Sequence, residues 1–357
     1  MDLLTGYVDI AQLIGVTSPD YRVFHLRQDR DDCLNRYYLY LFQMAYKRKI
    51  FYAFCQGTSQ LGRWRLPPDE FNAFIVPLPP HDEQTAIADF LDRETAKIDG
   101  LIAEQERLIA LLKEKRQAVI SHAVTKGLDP NAPMRDSGVE WLGEVPAHWR
   151  ISRLKHLSSH VVDCLHTTPT YEGDLIYPAI RTADLERGRL LLGQARLVSE
   201  EVYQERVQRL PPEPGDILYS REGELGMAAL VPKDTKLCLG QRMMMFRTYP
   251  HVDSAYVMWL LNSDAVYQQV MSTVGGATSP HVNIADIVNF AIPLPPLHEQ
   301  ADIAHKIKEI ASACDGLIEK SEEAISFLQE RRSALISAAV TGKIDARPLA
   351  PASAEAA

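Results

Sequence analysis

The histidines are the first side chains to consider for chemistry, because His156 and His160 stand four residues apart. That spacing puts two imidazoles on one face of a helix, where they can hold a metal ion. The sequence offers no third ligand near this pair, and the remaining histidines show no metal-ligand spacing. A metal centre is therefore not predicted.

Motifs for other chemistry are also missing from the sequence. It contains no G-x-x-x-x-G-K-[ST] phosphate loop and no G-x-G-x-x-G, and the Pro-Pro-Asp of residues 67–69 has no E-x-K nuclease partner nearby. The five cysteines are scattered and form no C-x-x-C pair, which argues against a zinc site and for a reducing cytoplasm. We therefore expect a cytoplasmic protein without catalytic activity of its own.

Composition limits the class of protein further. The chain has 357 residues, of which 46% are hydrophobic, so it can form two or three domains with buried cores. No apolar run of about 18 residues is present, which excludes a membrane-spanning helix. The net charge of −9 has the wrong sign for a protein that binds nucleic acid tightly by itself.

The elements that would position any functional side chain are organised by an internal repeat. Residues 77–129 recur at 293–345, an offset of 216 positions without a gap, and 24 of the 53 aligned residues are identical. Both copies open with P-L-P-P-x-x-E-Q and end with V-T-x-x-x-D. A repeat of this length defines the architecture before any local pattern does.

Each copy has the apolar periodicity of a long helix. Prolines at the entrance, acidic residues in the first turn and Gly127 after the last turn predict a first helix near 82–125, and the second is predicted near 298–340. Two helices of equal length can bury their apolar stripes on each other as an antiparallel coiled coil. The alternative is that each stripe docks on its own neighbouring domain. In the coiled coil we expect the seam to contain Leu101, Leu108, Leu112, Leu317, Ile325 and Leu328.

The segments between these helices read as globular domains. Runs such as GDILYS, AALVP, RMMMFRTY and YRVFHL are typical of short strands broken by Gly and Pro. Shorter helices are predicted near 33–50 and 253–271, at equivalent places before each long helix. The predicted fold class is therefore α+β, with strand-rich domains separated by two long helices. The tail at 346–357 is rich in Pro and Ala and is predicted to be disordered.

Three stretches resemble the specificity subunit of type I restriction–modification systems. They are PLPPHDEQTAIADFLDRETAKIDGLI, LLKEKRQAVISHAVTKGLDPNAPMRDSGVEWLGEVPAHW and GDILYSREGELGMAALV, and together the resemblance covers nearly the whole chain. In that family, two target recognition domains each read one half of a split DNA sequence, and an antiparallel coiled coil sets the spacing between them. The resemblance also implies a subunit without catalytic activity.

The resemblance implies a set of partners and domains as well. Two modification subunits that methylate adenine with S-adenosylmethionine dock on the specificity subunit, and restriction subunits add an ATP- and Mg-dependent nuclease; the chain itself is expected to bind no cofactor. The implied domains are a partial first recognition domain (1–76), a first spacer helix (77–129), a linker (130–145), a second recognition domain (146–292) and a second spacer helix (293–345).

The chain departs from the family pattern in its first recognition domain. Family members open that domain with a segment like DSGVEWLGEVPAHWRISRLKHL, which this sequence carries at 136–157 and not before residue 1. About 70 residues of the first domain are therefore expected to be supplied elsewhere or to be lost. Two alternatives to a normal subunit follow: one that reads a single half-site, and one that serves only as a coiled-coil scaffold.

Residues for reading bases are expected on exposed loops, because a groove is read by Arg, Lys, Asn, Gln, Ser or Thr side chains. In the second domain the candidates are Tyr177, Arg181, Thr182, Arg221, Glu222, Ser279, His281 and Asn283. Gln241 and Arg242 stand beside an apolar strand and rank below these. In the first domain they are Thr17, Ser18, Tyr21, Arg22 and Arg63. For any one of them the alternative is a solvated or capping polar residue. Trp141 and Trp149 are expected to anchor the second domain to the spacer helices.

The sequence of the second domain shows no excess of basic side chains that would form a DNA-binding stripe. Residues 150–250 carry 14 basic and 13 acidic side chains. We therefore expect weak DNA binding by the chain alone, with partner subunits supplying most phosphate contacts, since positioning and specifying are separable tasks.

Overall fold

The structure of the chain is a computed structural model that describes residues 8–17, 23–25, 32–54, 66–273 and 281–347. The backbone divides into two compact units, unit 1 (residues 1–109 with 318–357) and unit 2 (residues 110–317). Both divisions fall inside the two long helices, so each unit contains a globular part and portions of both helices.

The described residues form an α+β fold, as the sequence predicts. The α-helices are α1 (Asn35–Lys47), α2 (Pro68–Asn72), α3 (His81–Lys126), α4 (Leu154–Leu157), α5 (Glu200–Val207), α6 (Ser254–Leu261), α7 (Asp264–Thr273), α8 (Ile284–Ile287) and α9 (Leu297–Val340). The strands are β1 (Met134–Asp136), β2 (Glu144–Pro146), β3 (Arg150–Arg153), β4 (Ser158–Asp163), β5 (Tyr177–Ile180), β6 (Leu185–Glu186), β7 (Arg189–Leu190), β8 (Arg196–Val198), β9 (Ile217–Ser220), β10 (Ala228–Leu230), β11 (Cys238–Leu239), β12 (Met243–Thr248) and β13 (Ala291–Leu294). No helix in these described parts is both long enough and apolar enough for a membrane span.

The long helices α3 and α9 have 46 and 44 residues and confirm the two predicted helices within one residue at each end. Prolines immediately precede both, where the absent N–H costs no helical hydrogen bond. Gly127 ends α3 with a positive φ of 77°, a conformation that glycine adopts without the steric cost that a Cβ brings.

Within each unit the two long helices run antiparallel. In unit 1, Arg332 of α9 binds Asp99 of α3, and in unit 2 Arg116 of α3 lies beside Asp315 of α9. The buried and half-buried residues on the facing sides alternate at spacings of four and three, which is the a/d pattern of a coiled coil. In α3 they are Gln84, Ala88, Leu91, Thr95, Ile98, Ile102, Gln105, Ile109, Leu112, Arg116, Val119 and Ala123, and the positions 216 residues later do the same in α9. The antiparallel coiled coil is thereby confirmed.

The expected seam needs correction at three leucines. Leu112, Ile325 and Leu328 occupy a or d positions, whereas Leu101, Leu108 and Leu317 are 52, 41 and 49% exposed. Each exposed leucine is followed directly by an isoleucine, and that isoleucine takes the seam position instead.

The strands of the described residues lie in unit 2. The largest sheet has the order β10-β9-β12-β4, and its neighbours are antiparallel. All four residues of the central β9 are buried, because β10 and β12 flank it and both of its faces are covered. A second sheet has the order β11-β5-β8, and β13 pairs with β3 beside the start of α9. Strands β9, β10 and β12 confirm three of the predicted runs; residues 23–25 of the fourth lie in no strand, and its other residues are outside the described ranges.

The globular part of unit 1 is held by an aromatic cluster. The Phe42 ring lies 5.5 Å from Phe71 and 6.3 Å from Phe51, and Phe51 lies 5.0 Å from Phe74. Tyr37 and Leu41 of α1 pack with residues of α3 and α9. Burial of these rings and aliphatic side chains joins α1 to the long helices.

The glutamine of the P-L-P-P-x-x-E-Q motif joins each long helix to a globular part. In unit 1, Gln84 Nε2 donates to the Pro79 carbonyl at 2.9 Å and Gln84 Oε1 accepts from the Leu34 amide at 2.8 Å. Leu34 is the residue before α1, so the contact fixes the start of α1. In unit 2, Gln300 makes the same bonds, at 2.9 Å each, to the carbonyl of Pro295 and the amide of Asp253.

A tyrosine in each unit forms a second duplicated contact, at the C-terminal end of a long helix. Tyr37 Oη donates to the Val340 carbonyl at the end of α9, at 3.2 Å. In unit 2, Tyr256 Oη lies 3.2 Å from the carbonyl of Val124, the residue that corresponds to Val340 in the repeat. Each globular part is therefore bonded to the start of one long helix and to the end of the other.

Candidate nucleic-acid interface

The candidate loops of the second domain meet at one end of its sheets. The β9–β10 loop begins with Arg221 and Glu222, and Glu222 forms a β-bridge with His281. The Val282 amide donates to the Arg221 carbonyl at 3.0 Å, which holds the two segments together. Thr182 lies beside Gly223 of the same loop. The fold thus brings together candidates that are up to 100 residues apart in the chain.

Arg221 is buried and ion-paired. Its Nε lies 2.9 Å from Asp163 Oδ1 and its Nη1 lies 3.3 Å from Glu222 Oε1, with 7% of the side chain exposed. A guanidinium with two carboxylate partners and so little exposure stabilises the loop. Contact with a base would require it to exchange one of these partners.

Arg181 is also committed to a carboxylate. Its Nε and Nη2 donate to the two oxygens of Asp184 at 3.0 and 2.8 Å, and its backbone amide donates to Oδ2 at 2.8 Å. The Asp184 carboxylate is 1% exposed and raises the pKa of Arg181. Arg181 thereby closes the short 3-10 turn at Thr182–Asp184, and Thr182 remains half-buried on that turn.

Tyr177 stands at the start of β5, on the side of the domain where α5 packs. Its ring stacks on Tyr203 with 4.3 Å between centroids. A hydrogen bond to the Glu200 carboxylate raises the pKa of Tyr177. Both the ring and the hydroxyl of Tyr177 therefore have partners within the domain.

Three further polar side chains surround the β9–β10 loop, and sequence reasoning either left them out or ranked them lower. Arg242 is 56% exposed and its Nε lies 3.6 Å from Glu222 Oε2. His166 is 70% exposed and its Nε2 lies 3.1 Å from Asp163 Oδ2. Gln241 donates to the His166 carbonyl at 3.4 Å. Arg242 has a positive φ of 67° and lies at a tight turn before β12. Because this position is not a glycine, the sequence does not reveal the turn.

The remaining candidates divide between exposed residues and residues outside the described ranges. His281 and Asn283 are exposed, and Asn283 precedes α8. Thr17 is exposed and belongs to no helix or strand. The structure does not describe Ser18, Tyr21, Arg22, Arg63 or Ser279.

The chemistry available at this loop cluster is hydrogen bonding. The exposed imidazole, amide and guanidinium groups of His281, Asn283 and Arg242 stand near the half-buried carboxylate of Glu222. Such groups distinguish base edges in the major groove. Across the described residues, no group of three or more His, Cys, Asp or Glu side chains has the arrangement of a metal site.

Trp149 has the anchoring role that the sequence predicts, whereas Trp141 is 38% exposed and does not share that role. Its Nε1 donates to Glu299 Oε1 of α9 at 3.0 Å, and His148 Nε2 lies 2.8 Å from Glu299 Oε2. Glu299 is the glutamate of the second P-L-P-P-x-x-E-Q motif. The loop cluster is therefore carried by a domain that is fixed to the long helices.

Known proteins with similar sequences share one description. The family described as the type I restriction modification DNA specificity domain matches residues 4–109 and 166–326. The specificity subunit of the type I restriction enzyme MjaVIII from Methanocaldococcus jannaschii is 24% identical over 322 residues, 87% of this chain and 71% of that protein. The EcoBI specificity subunit from Escherichia coli is 23% identical over 320 residues, 85% of this chain and 67% of that protein.

A solved structure shares the fold. It comes from a study of complex assembly and conformational transition in the type I R-M system, and it matches with a TM-score of 0.65. The match covers 89% of this chain and 74% of that chain at 17% identity, which is a likeness of fold.

Proposed function

The chain belongs to the type I restriction–modification DNA specificity family, and we propose that it reads a two-part DNA target and holds modification and restriction subunits on it. The observation that carries this proposal is the duplicated junction in which Gln84 and Gln300 bind equivalent partners. Because each globular part is bonded to both long helices, the helices can set a constant distance between two reading domains. Fixed spacers of this kind determine the separation of half-sites.

Base reading in the second domain is assigned to the loop cluster around Glu222. Arg242, His281 and Asn283 are exposed to solvent at this surface, while Arg221 and Arg181 keep the loops in place through their ion pairs. A bidentate Arg contact to guanine discriminates by about 1–3 kcal/mol. Thr182 and Glu222 border the same surface and complete the set of donors and acceptors.

The modification subunits are assigned to an exposed apolar face of the coiled coil. In unit 1, Leu101 and Phe327 are 52 and 68% exposed. The register set by Asp99 and Arg332 places Phe327 within about one helical turn of Leu101. In unit 2 the repeat-equivalent residues Leu317 and Leu111 are 49 and 53% exposed. Exposed apolar clusters mark protein interaction sites.

The duplication of this face determines how many subunits dock. Leu101 corresponds to Leu317 and Leu111 corresponds to Phe327 at the repeat offset of 216. Two equivalent surfaces on one chain fit two copies of one partner, which is the stoichiometry of two modification subunits. Those subunits would bind S-adenosylmethionine, and restriction subunits would bind ATP and Mg²⁺. The chain itself contributes recognition without catalysis, in the cytoplasm.

Docking is tested by copurification with the modification subunit and native mass spectrometry. Leu101→Glu should leave a complex with one modification subunit, Leu317→Glu should do the same, and the double variant should bind none. Glu319→Lys, at an exposed position on α9, is the charge-change control and should keep two. Retention of two modification subunits by the double variant would remove this face from the interface.

Target reading is tested by mapping methylated adenines in cells that express the modification subunit with or without this chain. A single motif made of two short sequences around a fixed gap should be methylated only when the chain is present. Methylation of an undivided motif would mean that only one domain reads DNA, and it would contradict a two-part target. Methylation of the same motif without the chain would contradict a role in specificity.

A further inference from the structure

The loop between β4 and β5 is long and contains no helix or strand. It comprises residues 164–176, and its side chains at His166, Thr167 and Thr168 are exposed. Loops of this length inside a compact domain are uncommon, and they usually either carry a function or lack a fixed shape. Contacts that fix the shape of this loop would therefore indicate a function.

Arg206 of α5 supplies such contacts from inside the domain. Its side chain is largely buried, with 9% of the residue exposed. Its Nη2 donates to the Thr167 carbonyl, and its Nη1 donates to the Leu239 carbonyl at 3.0 Å. Leu239 is the last residue of β11. One guanidinium therefore joins the β4–β5 loop to the segment that precedes β12.

The charge of Arg206 opposes its burial. Among the described residues no carboxylate lies within ion-pair distance of this guanidinium, and its Nε is buried without a hydrogen-bond partner. The last turn of α5 offsets part of the cost through the helix dipole. An apolar side chain of similar size would avoid the remaining cost of a buried charge. What it could not do is hold two backbone carbonyls of separate segments together.

The second of these segments, residues 239–242, has a fixed position beside the recognition surface. The Gly240 amide donates to the Ile180 carbonyl at 2.7 Å, and a Cβ on Gly240 would lie only 2.6 Å from that oxygen. Glycine is therefore required for this close approach. The Arg242 carbonyl accepts from the Arg221 amide at 3.2 Å, which joins the segment to the β9–β10 loop.

The exposed part of the β4–β5 loop lies next to the same surface. His166 Nε2 is 3.1 Å from Asp163 Oδ2, and 70% of the His166 side chain is exposed. Asp163 also binds Arg221 at the start of the β9–β10 loop. The Gln241 amide donates to the His166 carbonyl at 3.4 Å. His166 is therefore oriented through its imidazole and through its backbone.

We propose that the β4–β5 loop reads bases through His166 and Thr168, and that Arg206 is the residue that positions this loop. The inference rests on the proposed DNA-reading function, since the loop would act beside the surface of Glu222 and Arg242. Imidazole and hydroxyl groups donate to and accept from base edges. Base reading requires side chains in a fixed geometry, whereas phosphate contacts carry no sequence information. The buried guanidinium behind the loop provides that fixed geometry.

The test uses the chain assembled with its modification subunit and a set of DNA duplexes. One duplex carries the methylated motif, and each of the others carries one changed base pair. His166→Ala should reduce discrimination at one base pair by about tenfold to a hundredfold, the range for a base-specific contact. Arg206→Met should reduce discrimination at the same base pair, because it releases the loop. The double variant should lose little more than either single variant, since both changes remove one contact.

Two further variants separate positioning from stability. Val257→Ala removes volume from the buried core beside α6, so it should lower the melting temperature and leave discrimination unchanged. Arg206→Lys keeps a charged donor and should fall between Arg206→Met and the unaltered chain. If Arg206→Met does not fold, Arg206→Lys and His166→Ala provide the same comparison.

The results that would overturn the inference differ from those that would overturn the proposed function. Unchanged discrimination in His166→Ala or in Arg206→Met would refute the inference alone, and so would losses that multiply in the double variant. An equal loss of affinity for every duplex would also refute it, because a phosphate contact or general destabilisation has that effect. An unaltered complex that prefers no duplex would refute the proposed function itself.

Discussion

Arg332 binds the carboxylate of Asp99 through two hydrogen bonds, with Nε and Nη2 at 2.8 and 3.2 Å. The residues 216 positions away form the same kind of pair, Arg116 Nε lying 3.0 Å from Asp315 Oδ1. The aspartate of the pair is on α3 in unit 1 and on α9 in unit 2, and the arginine is on the other long helix each time. The two ion pairs therefore set the same antiparallel register independently in both units.

Reversal of the Arg332–Asp99 pair tests that register. Arg332→Asp should place two carboxylates together and lower the free energy of unfolding by about 1 kcal/mol, since exposed pairs contribute little more. Adding Asp99→Arg should restore most of the loss in thermal unfolding experiments at low salt. If the double variant is no more stable than Arg332→Asp, the two residues are not neighbours in the folded chain.

The two arginines should differ in their contribution to stability. Arg116 also donates to the Arg187 carbonyl at 2.7 Å and lies over the Trp259 ring, and only 12% of its side chain is exposed. Arg332 is 29% exposed. Urea unfolding should therefore show a loss of about 2–3 kcal/mol for Arg116→Ala and under about 1 kcal/mol for Arg332→Ala. Equal losses would mean that the extra contacts of Arg116 contribute nothing.

The buried glutamines should be sensitive to loss of their amide N–H. Gln300 is 2% exposed and uses both ends of its amide. Gln300→Glu keeps the acceptor for Asp253 but cannot donate to Pro295 while it is ionised. We expect Gln300→Glu to lower the free energy of unfolding by about 1–3 kcal/mol, measured by chemical unfolding. Glu299→Gln is not a suitable control, because Glu299 binds Trp149. His305→Gln, at an exposed position of α9, is the suitable control and should change stability by less than about 0.5 kcal/mol.

Substitution of Arg221 should lower stability, whereas substitution of Arg242 should change DNA recognition. Arg221→Ala leaves the largely buried Asp163 without its guanidinium and should cost about 3 kcal/mol or more. Arg242→Ala, at a 56% exposed position, should leave the melting temperature nearly unchanged and relax the methylated motif at one base pair in the assembled complex. An unchanged motif for Arg242→Ala would exclude Arg242 from base reading.

The sequence was sufficient for the long helices and insufficient for their seam. Prolines before each helix and Gly127 after the first mark the ends, so the predicted bounds agree within a residue. Leu101 and Ile102 are adjacent apolar residues, and periodicity alone does not decide which of them faces the partner helix. Polar seam residues such as Gln105 and Ser321 further obscure the phase.

The loop cluster was harder to predict because its partners are distant in the chain. Arg221 and Asp163 are 58 positions apart, so the ion pair that buries the Arg221 guanidinium has no local signature. A strand–loop pattern identifies which loops are near one another only after the sheet order is known. Exposed Arg242 follows a buried strand and has no glycine to mark its turn, so the sequence alone places it below the two arginines that the fold uses for stability.

The most direct test of the account lengthens the coiled coil by one heptad. Seven residues inserted after Arg107 and seven after Glu323 keep the a/d phase in both helices and, in the register of the Arg332–Asp99 pair, lie opposite each other. The insertion adds about 10 Å of helix, or roughly three base pairs of DNA. Methylation mapping of the assembled complex should then return the same two half-sites with a gap longer by about three base pairs, while insertion in α3 alone should disrupt folding. An unchanged gap with both insertions in a folded complex would contradict the claim that the helix pair sets the distance between the two reading domains.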